Sequence, residues 1–201
     1  FANHGITITE EQEQKLNQYY DLLIDWNNKI NLTSIVEYEE VIWKHFLDSA
    51  FFVSCDKVDL KEKKKVLDLG TGAGFPGMVL AILCPDYEFV LADSLNKRIE
   101  FLKVVINRLQ IHNVSVIHGR AEELGRDENF RNQFDYVVSR AVAELPVLLE
   151  YCIPFVKKGG YFVSYKSRRL DEEIENAENA LNMLYTKYEK KYKYELEYDH
   201  S

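Results

Sequence analysis

The stretch VLDLGTGAGFPG, residues 66–77, decides how the rest of the chain is read. An apolar run leads into glycines at alternate positions, Gly70, Gly72 and Gly74, and then into a segment that can open a helix. A strand feeding such a turn needs backbone angles and close approaches that a Cβ would block. The helix start beyond it presents free N–H groups, suited to an anionic or carboxylate-bearing ligand. From Gly72 the same letters spell G-x-G-x-x-G, the fingerprint associated with dinucleotides. The glycines alone leave three readings open: NAD, another adenosine cofactor, or a tight strand–helix turn without a ligand.

Downstream of Lys65 the chain alternates strand and helix patterns, which predicts a mostly parallel sheet with helices on both faces. The strands expected are 65–69, 88–93, 114–119, 134–140 and 160–166. Ser94 is the expected N-cap of a helix striped by Leu95, Ile99, Leu102, Ile106 and Leu109, and Pro146 sits early in the next helix. Ile174, Ala177, Leu181, Leu184 and Tyr188 predict one long charged helix, and residues 191–199 alternate like a sixth strand. Upstream, the first sixty residues read as helical. Thr9 with Gln12 forms a capping box, followed by Leu16, Tyr19, Tyr20, Leu23, Trp26 and Ile30 at helical spacing. Ser34 with Glu37 offers a second box, before Val41, Ile42, Phe46 and Ala50. Two regions are expected: a helical N-terminal cap, 1–60, and a cofactor-binding domain, 61–201.

With 201 residues and 46% hydrophobic content, the chain is long enough for a substantial core. No run approaches the roughly 18–20 apolar residues of a membrane helix. Cys55, Cys84 and Cys152 are odd in number and scattered, which argues against disulfides or a zinc cluster and for a reducing cytoplasm. The net charge of −8 does not advertise a nucleic-acid binder.

Three neighbours of the glycines separate the cofactors. Asp68 stands two residues before Gly70, where NAD sites are usually apolar. A carboxylate there suits the ammonium of a methionine moiety, although it could simply staple the loop. Asp93 ends the second strand, where it can accept from ribose hydroxyls of either cofactor. Ala121 and Glu122 follow the third strand and could read an adenine edge through a backbone N–H and a carboxylate, a surface Glu being the plain alternative. The balance favours S-adenosylmethionine.

The motifs DLGTGAGFPG, ADSLNKRIEFL, GRAEEL and FDYVVSRAVAEL, preceded by NKINLTSI and KHFLDS, resemble the bacterial 16S ribosomal RNA guanine-N7 methyltransferase family, also called glucose-inhibited division protein B. The resemblance covers about residues 16 to 166. It implies a Rossmann-like class I methyltransferase fold with a helical N-terminal cap, and methylation of N7 of a guanine in small-subunit RNA. It also implies cofactor contacts at Gly70, Phe75, Ala121, Glu122 and Arg140. The resemblance also implies a final strand and a basic tail, neither of which is expected within residues 1–201.

The fourth strand ends in Ser139-Arg140-Ala141. It carries no Asn/Asp-Pro-Pro-aromatic quartet for an exocyclic amine, no Cys for attack on a pyrimidine ring, and no Asp for a ribose hydroxyl. Guanine N7 needs none of these, because its lone pair is exposed and it has no proton to lose. Arg140 is the expected substrate-positioning residue, contacting O6, a phosphate or the cofactor, with a salt bridge to a neighbouring carboxylate as the plain alternative. Lys97, Arg98, Arg120, Lys166 and Arg168, with Arg169, follow strand ends and are expected to meet RNA phosphates, or else to be solvated surface charges. Asn31, Thr33, His45 and Asp48 read as capping and helix–helix contacts, with His45 and Asp48 one turn apart and able to pair. The expected partner is 16S ribosomal RNA or the small subunit, with no membrane and no metal, and the protein a monomer. The rival readings are an NAD-linked oxidoreductase and a non-catalytic cofactor-binding module.

Overall fold

The computed structural model describes residues 1–140, 142–166 and 170–196. Helix α1 spans Glu10–Ile30 and opens with the expected capping box: Gln12 N–H donates to Thr9 Oγ1 (3.2 Å) and Thr9 N–H to Gln12 Oε1 (2.9 Å). α1 closes at Asn31, whose left-handed backbone (φ 49°) ends the helix. The second capping box does not form. α2, Tyr38–Val41, starts after Glu37, which places Ser34 outside the helix. It continues through a π-helical turn, Ile42–Leu47, into α3, Asp48–Ala50, and a 3-10 turn, Phe51–Ser54.

The strands and helices then alternate: β1 Lys65–Leu69, α4 Gly77–Leu83, β2 Glu88–Asp93, α5 Asn96–Leu109, β3 Val114–His118, α6 Ala121–Leu124, β4 Phe134–Arg140, α7 Leu145–Cys152 and β5 Val156–Tyr165. All neighbours pair in parallel, in the order β3-β2-β1-β4-β5. The order reverses between β1 and β4, so the cleft of this Rossmann-like sheet opens at the carboxyl ends of those strands.

Side-chain alternation divides the strands between two cores. Val66, Phe89, Leu91, Tyr136 and Val138 pack with Met78 and Leu80 of α4, Phe101, Leu102 and Val105 of α5, and Leu16, Tyr19 and Leu23 of α1. Leu67, Leu69, Val90, Ala92 and Val137 face Leu148, Cys152 and Phe155 on the other side. Asp68 shares the parity of Val66 and therefore points toward α4, beneath the glycine turn.

Several expectations are corrected. Ser94 does not cap α5. The helix follows Leu95, and Asp93 Oδ1 takes the Leu95 N–H instead (2.9 Å). Leu95 lies ahead of the first turn and is exposed, while Ile99, Leu102 and Leu109 bury as expected. β5 begins at Val156, four residues before the expected start. The long helix is two, α8 Leu170–Asn176 and α9 Glu178–Met183. The chain bends at Ala177, which is fully buried against Leu145 and Leu149 of α7. Tyr188 falls beyond α9 and is exposed. Residues 191–196 form no strand, and 197–199 lie outside the described residues. The side chains of this segment are engaged elsewhere: Tyr194 stacks on Phe51 (3.8 Å between centroids) and donates to Asp48, and Tyr192 donates to Asp56.

The connection into β1 is pinned by two tyrosines. Tyr136 Oη donates to Lys57 O (2.9 Å) and accepts from Asp59 N–H (3.2 Å), and Tyr87 Oη donates to Asp59 O (2.6 Å). Tyr136→Phe deletes two of these bonds, with an expected cost of about 1–2 kcal/mol. Urea titration measures that loss, and amide exchange at Asp59 is expected to accelerate with it.

Candidate functional site

The turn after β1 takes positive φ at Gly70 (72°), Gly72 (63°) and Gly74 (100°). Gly70 and Thr71 donate backbone N–H groups to Ala92 O (2.9 and 3.1 Å), which ties the turn to the end of β2. A Cβ at Gly74 would overlap the Tyr19 hydroxyl and sit 3.0 Å from Leu102 and Met78. That hydroxyl donates to Ala73 O, so helix α1 reaches into the loop. At Gly72 a Cβ would meet nothing within 4 Å. Gly72 thus needs glycine for its backbone angle and leaves open space where a ligand can lie against the chain.

Asp68 is fully buried beneath this turn. Its Oδ2 accepts from Thr71 Oγ1 (2.7 Å) and Gly77 N–H (2.7 Å), while Oδ1 has no partner. Burial pushes its carboxyl up to about 6, against the pull of the Thr71 and Gly77 hydrogen bonds and Arg140. A Cβ at Gly77 would fall 2.6 Å from Oδ2, so the last glycine of the apparent dinucleotide fingerprint exists to let Asp68 approach the start of α4. The loop-staple reading of Asp68 is met by one oxygen, and the other has no partner within the protein.

Asp93 is also buried and well supplied with donors. Gly72 N–H (2.9 Å) and Arg98 Nη1 (3.2 Å) reach Oδ2, and Leu95 N–H reaches Oδ1. Gly119 N–H donates to the Asp93 carbonyl (3.1 Å), tying the end of β2 to the chain just before α6, which opens with Ala121 and Glu122. Glu122 is exposed and 3.8 Å from Arg120, a solvent-screened pair of little energetic weight.

The fourth-strand arginine is gripped from the N-terminal helices. Arg140 Nη1 donates to Asp48 Oδ2 (2.7 Å) and Lys44 O (2.9 Å), and Nη2 lies 3.0 Å from His45 Nδ1. Its guanidinium stands 5.4 Å from the Phe75 ring centroid, and the His45 ring stacks on the same Phe75 at 4.4 Å. His45 Nε2 is 2.9 Å from Thr33 Oγ1. Among these residues sequence reasoning missed the connectivity: His45 and Asp48 meet through Arg140 and not with each other. Their one-turn spacing signalled a shared face but not a third partner arriving from β4.

The expected basic face is thinner than the sequence suggested. Arg98 is held by Asp93. Lys166 is nearly buried, paired with Glu173 (2.6 Å) and donating to Ala143 O (2.7 Å), so it does not present a free cation. Arg168 and Arg169, like Ala141, lie outside the described residues. Lys97 and Arg120 are exposed, Lys97 donating to Ile30 O (3.2 Å). A cavity of about 1170 Å³ lies apart from the glycine turn, between β5, the Phe51–Ser54 turn and the segment around Tyr188, and none of the turn's residues line it. Among the described residues no helix is long and apolar enough to cross a membrane.

The sequence profile of the family described as rRNA small subunit methyltransferase G matches residues 12–197. The chain belongs to this family. Relatives carrying the name ribosomal RNA small subunit methyltransferase G include one from Lachnoclostridium phytofermentans, 53% identical over 192 residues, covering 96% of this chain and 78% of the relative. Another, from Alkaliphilus metalliredigens, is 52% identical and covers 90% of this chain and 74% of the relative. A third, from Streptococcus sanguinis, is 45% identical and covers 97% and 82%. In three dimensions the chain resembles a SAM-dependent methyltransferase from Aquifex aeolicus, with a TM-score of 0.52, 20% identity, and coverage of 74% of this chain and 82% of that one. That likeness bears on the fold alone. Membership of the methyltransferase G family settles the choice left open by the glycines against the oxidoreductase.

Asp68 carries a stability consequence. Its raised carboxyl means that the folded protein holds a proton which the unfolded chain releases between pH about 4 and about 6. Stability from this group therefore falls as pH rises through that window. Between pH 4 and pH 7 the difference between wild type and Asp68→Asn is expected to move in favour of Asn by up to about 3 kcal/mol. Denaturant titrations at the two pH values give the comparison.

Proposed function

We propose that this protein transfers a methyl group from S-adenosylmethionine to N7 of a guanine in small-subunit ribosomal RNA. The observation that carries the donor is Asp68 Oδ1, a buried carboxylate oxygen without a partner beside a glycine turn that leaves open space at Gly72. A buried orphan acceptor calls for a donor, and the ammonium of the methionine moiety supplies one. Gly70, Gly72 and Gly74 let the backbone approach, and Phe75 closes the loop. Asp93, whose Oδ1 holds one strong bond, accepts from the ribose, and Ala121 with Glu122 faces the adenine.

When bound, S-adenosylmethionine would supply an electrophilic methyl carbon: the N7 lone pair forms the new N–C bond as the C–S bond breaks, and the thioether S-adenosylhomocysteine leaves. The protein's part is to position and to exclude water, and alignment of that kind contributes roughly 7–11 kcal/mol in favourable cases. No side chain need remove a proton, because guanine N7 has none, and no general base is assigned. Arg140 is the substrate-side residue. It cannot take the usual bidentate grip on O6 and N7, since N7 must face the methyl, so its free N–H groups are left for O6, a phosphate or the cofactor.

Residues 1–60 serve as a cap and 61–201 as the donor-binding domain of a cytoplasmic monomer that needs no metal. Lys97 and Arg120 contact RNA phosphates. The direct test maps 7-methylguanine on small-subunit RNA lacking the mark, with and without the protein; methylation at another atom or base would overturn the acceptor.

Two quantitative expectations follow from these assignments. Affinity for S-adenosylmethionine should strengthen as pH rises through about 6, as Asp68 ionises, and should be flat in Asp68→Asn, read by calorimetric titration. RNA binding should weaken steeply between about 50 and about 200 mM salt, and Arg120→Ala should lower the slope by about 1. Equal affinity at both salt concentrations would refute the phosphate contacts.

A further inference from the structure

His45 sits in the π-helical turn between α2 and α3, is 8% exposed, and has both ring nitrogens engaged. Its hydrogen-bond network fixes its tautomer. Arg140 Nη2 can only donate, so Nδ1, 3.0 Å away, must offer a lone pair. Lys44 O lies 3.2 Å from Nδ1, but a carbonyl can only accept, and with the Arg140 N–H directed at the Nδ1 lone pair no ring proton is there for it to take. The ring proton is therefore on Nε2 and is donated to Thr33 Oγ1 (2.9 Å), which also accepts from Ile35 N–H (3.1 Å). Arg140 thus spends three of its five N–H groups on the N-terminal helices, on Lys44 O, Asp48 Oδ2 and His45 Nδ1. Nε–H and the second Nη2–H remain for a ligand. Asp48 is anchored in turn, its other oxygen accepting from Tyr194 Oη (2.8 Å).

The flat of the same imidazole covers Phe75, with 4.4 Å between centroids and 17° between planes. Phe75 belongs to the donor loop and Arg140 ends β4. One side chain of the N-terminal helices therefore touches the donor side and the acceptor side of the cleft, through different parts of its ring.

We propose that His45 is a positioning residue for methyl transfer: Nδ1 aims the free edge of Arg140 at the acceptor, and the ring face holds Phe75 in the donor loop. The proposal rests on the assignment of this cleft and of Arg140 given under Proposed function. Burial first, and Arg140 second, hold the His45 pKa down to about 4, so the lone pair on Nδ1 persists at neutral pH. The charged groups facing the ring are Arg140 and Lys44, which oppose its protonation, and Glu40, which favours it.

Two substitutions separate the two contacts. His45→Phe keeps a ring against Phe75 and removes the acceptor. His45→Asn puts an amide oxygen near the Nδ1 position and removes the ring. With His45→Phe, kcat on small-subunit RNA lacking the mark should fall roughly tenfold to a hundredfold, the worth of a hydrogen bond to a charged group, while the Kd for S-adenosylmethionine stays near wild type. With His45→Asn most of kcat should return, and the donor Kd should weaken roughly twofold to tenfold with loss of the ring stack. In an Arg140→Ala background His45→Phe should cost nothing further in kcat, because two residues acting as one unit are not additive. A His45→Phe enzyme at full rate, or one whose loss repeats undiminished on Arg140→Ala, would overturn the proposal. If Arg140→Ala itself transfers methyl at the wild-type rate, the assignment of Arg140 fails first, and the two failures are told apart. A readout that needs no RNA is the His45 titration followed by NMR. It should move up from about 4 toward the ordinary histidine range in Arg140→Ala, and an unmoved value would show that the contact does not form.

Discussion

The site depends on a carboxylate placed where water cannot reach it. Asp68 lies on the α4-facing side of β1, and its Oδ2 holds Thr71 at one end of the glycine turn and Gly77 at the other. The seven residues from Thr71 to Gly77 are thereby tied at both ends to a single atom. Burial makes the charge costly, which is visible in the raised carboxyl, and the hydrogen bonds offset only part of that cost. The remaining oxygen is buried without a partner.

Around that carboxylate the N-terminal helices form part of the cleft wall. Tyr19 reaches Ala73 from α1, His45 lies on Phe75, and Asp48 with the Lys44 carbonyl takes Arg140. The apolar core runs without interruption from Leu16, Tyr19 and Leu23 through Phe46 to Val66 and Phe89. Movement of the N-terminal helices would therefore disturb loop and arginine together. Arg140 is anchored on one edge and open on the other, which suits a reaction whose demand is alignment and not proton transfer.

Much of the fold was legible because β1, β2 and β4 are apolar runs buried almost throughout, and strand and helix patterns alternate along the chain. β1, β2 and β4 span the residues that pattern marked, and β3 stops one residue short. The errors fall where local pattern met a stronger partner. Ser94 lost the start of α5 to Asp93, already aimed at the Leu95 N–H. The long C-terminal helix broke where Ala177 packs into α7, a contact its own periodicity could not reveal. The alternation of residues 191–196 reads as a strand, yet Tyr192 and Tyr194 satisfy their hydroxyls on Asp56 and Asp48. Among the cations, charge and position after a strand end were legible, but the carboxylates that claim Arg98 and Lys166 come from β2 and α8 and are invisible locally.

The sequence by itself determined the α/β class and the glycine turn, which follow from residue types at fixed local spacing, and the resemblance of its motifs pointed to the family and with it to the methyl donor. It could name Asp68, Gly72, Asp93 and Arg140 as chemistry-bearing positions, but not apportion their atoms. Only the tertiary structure decided that Asp68 staples the loop through one oxygen and buries the other without a partner, that Gly77 lets Asp68 approach the start of α4, and that His45 meets Asp48 only through Arg140. Those outcomes depend on contacts 9 to 95 residues apart along the chain. Burial and competition among hydrogen-bond partners settle such contacts, and no local pattern encodes them.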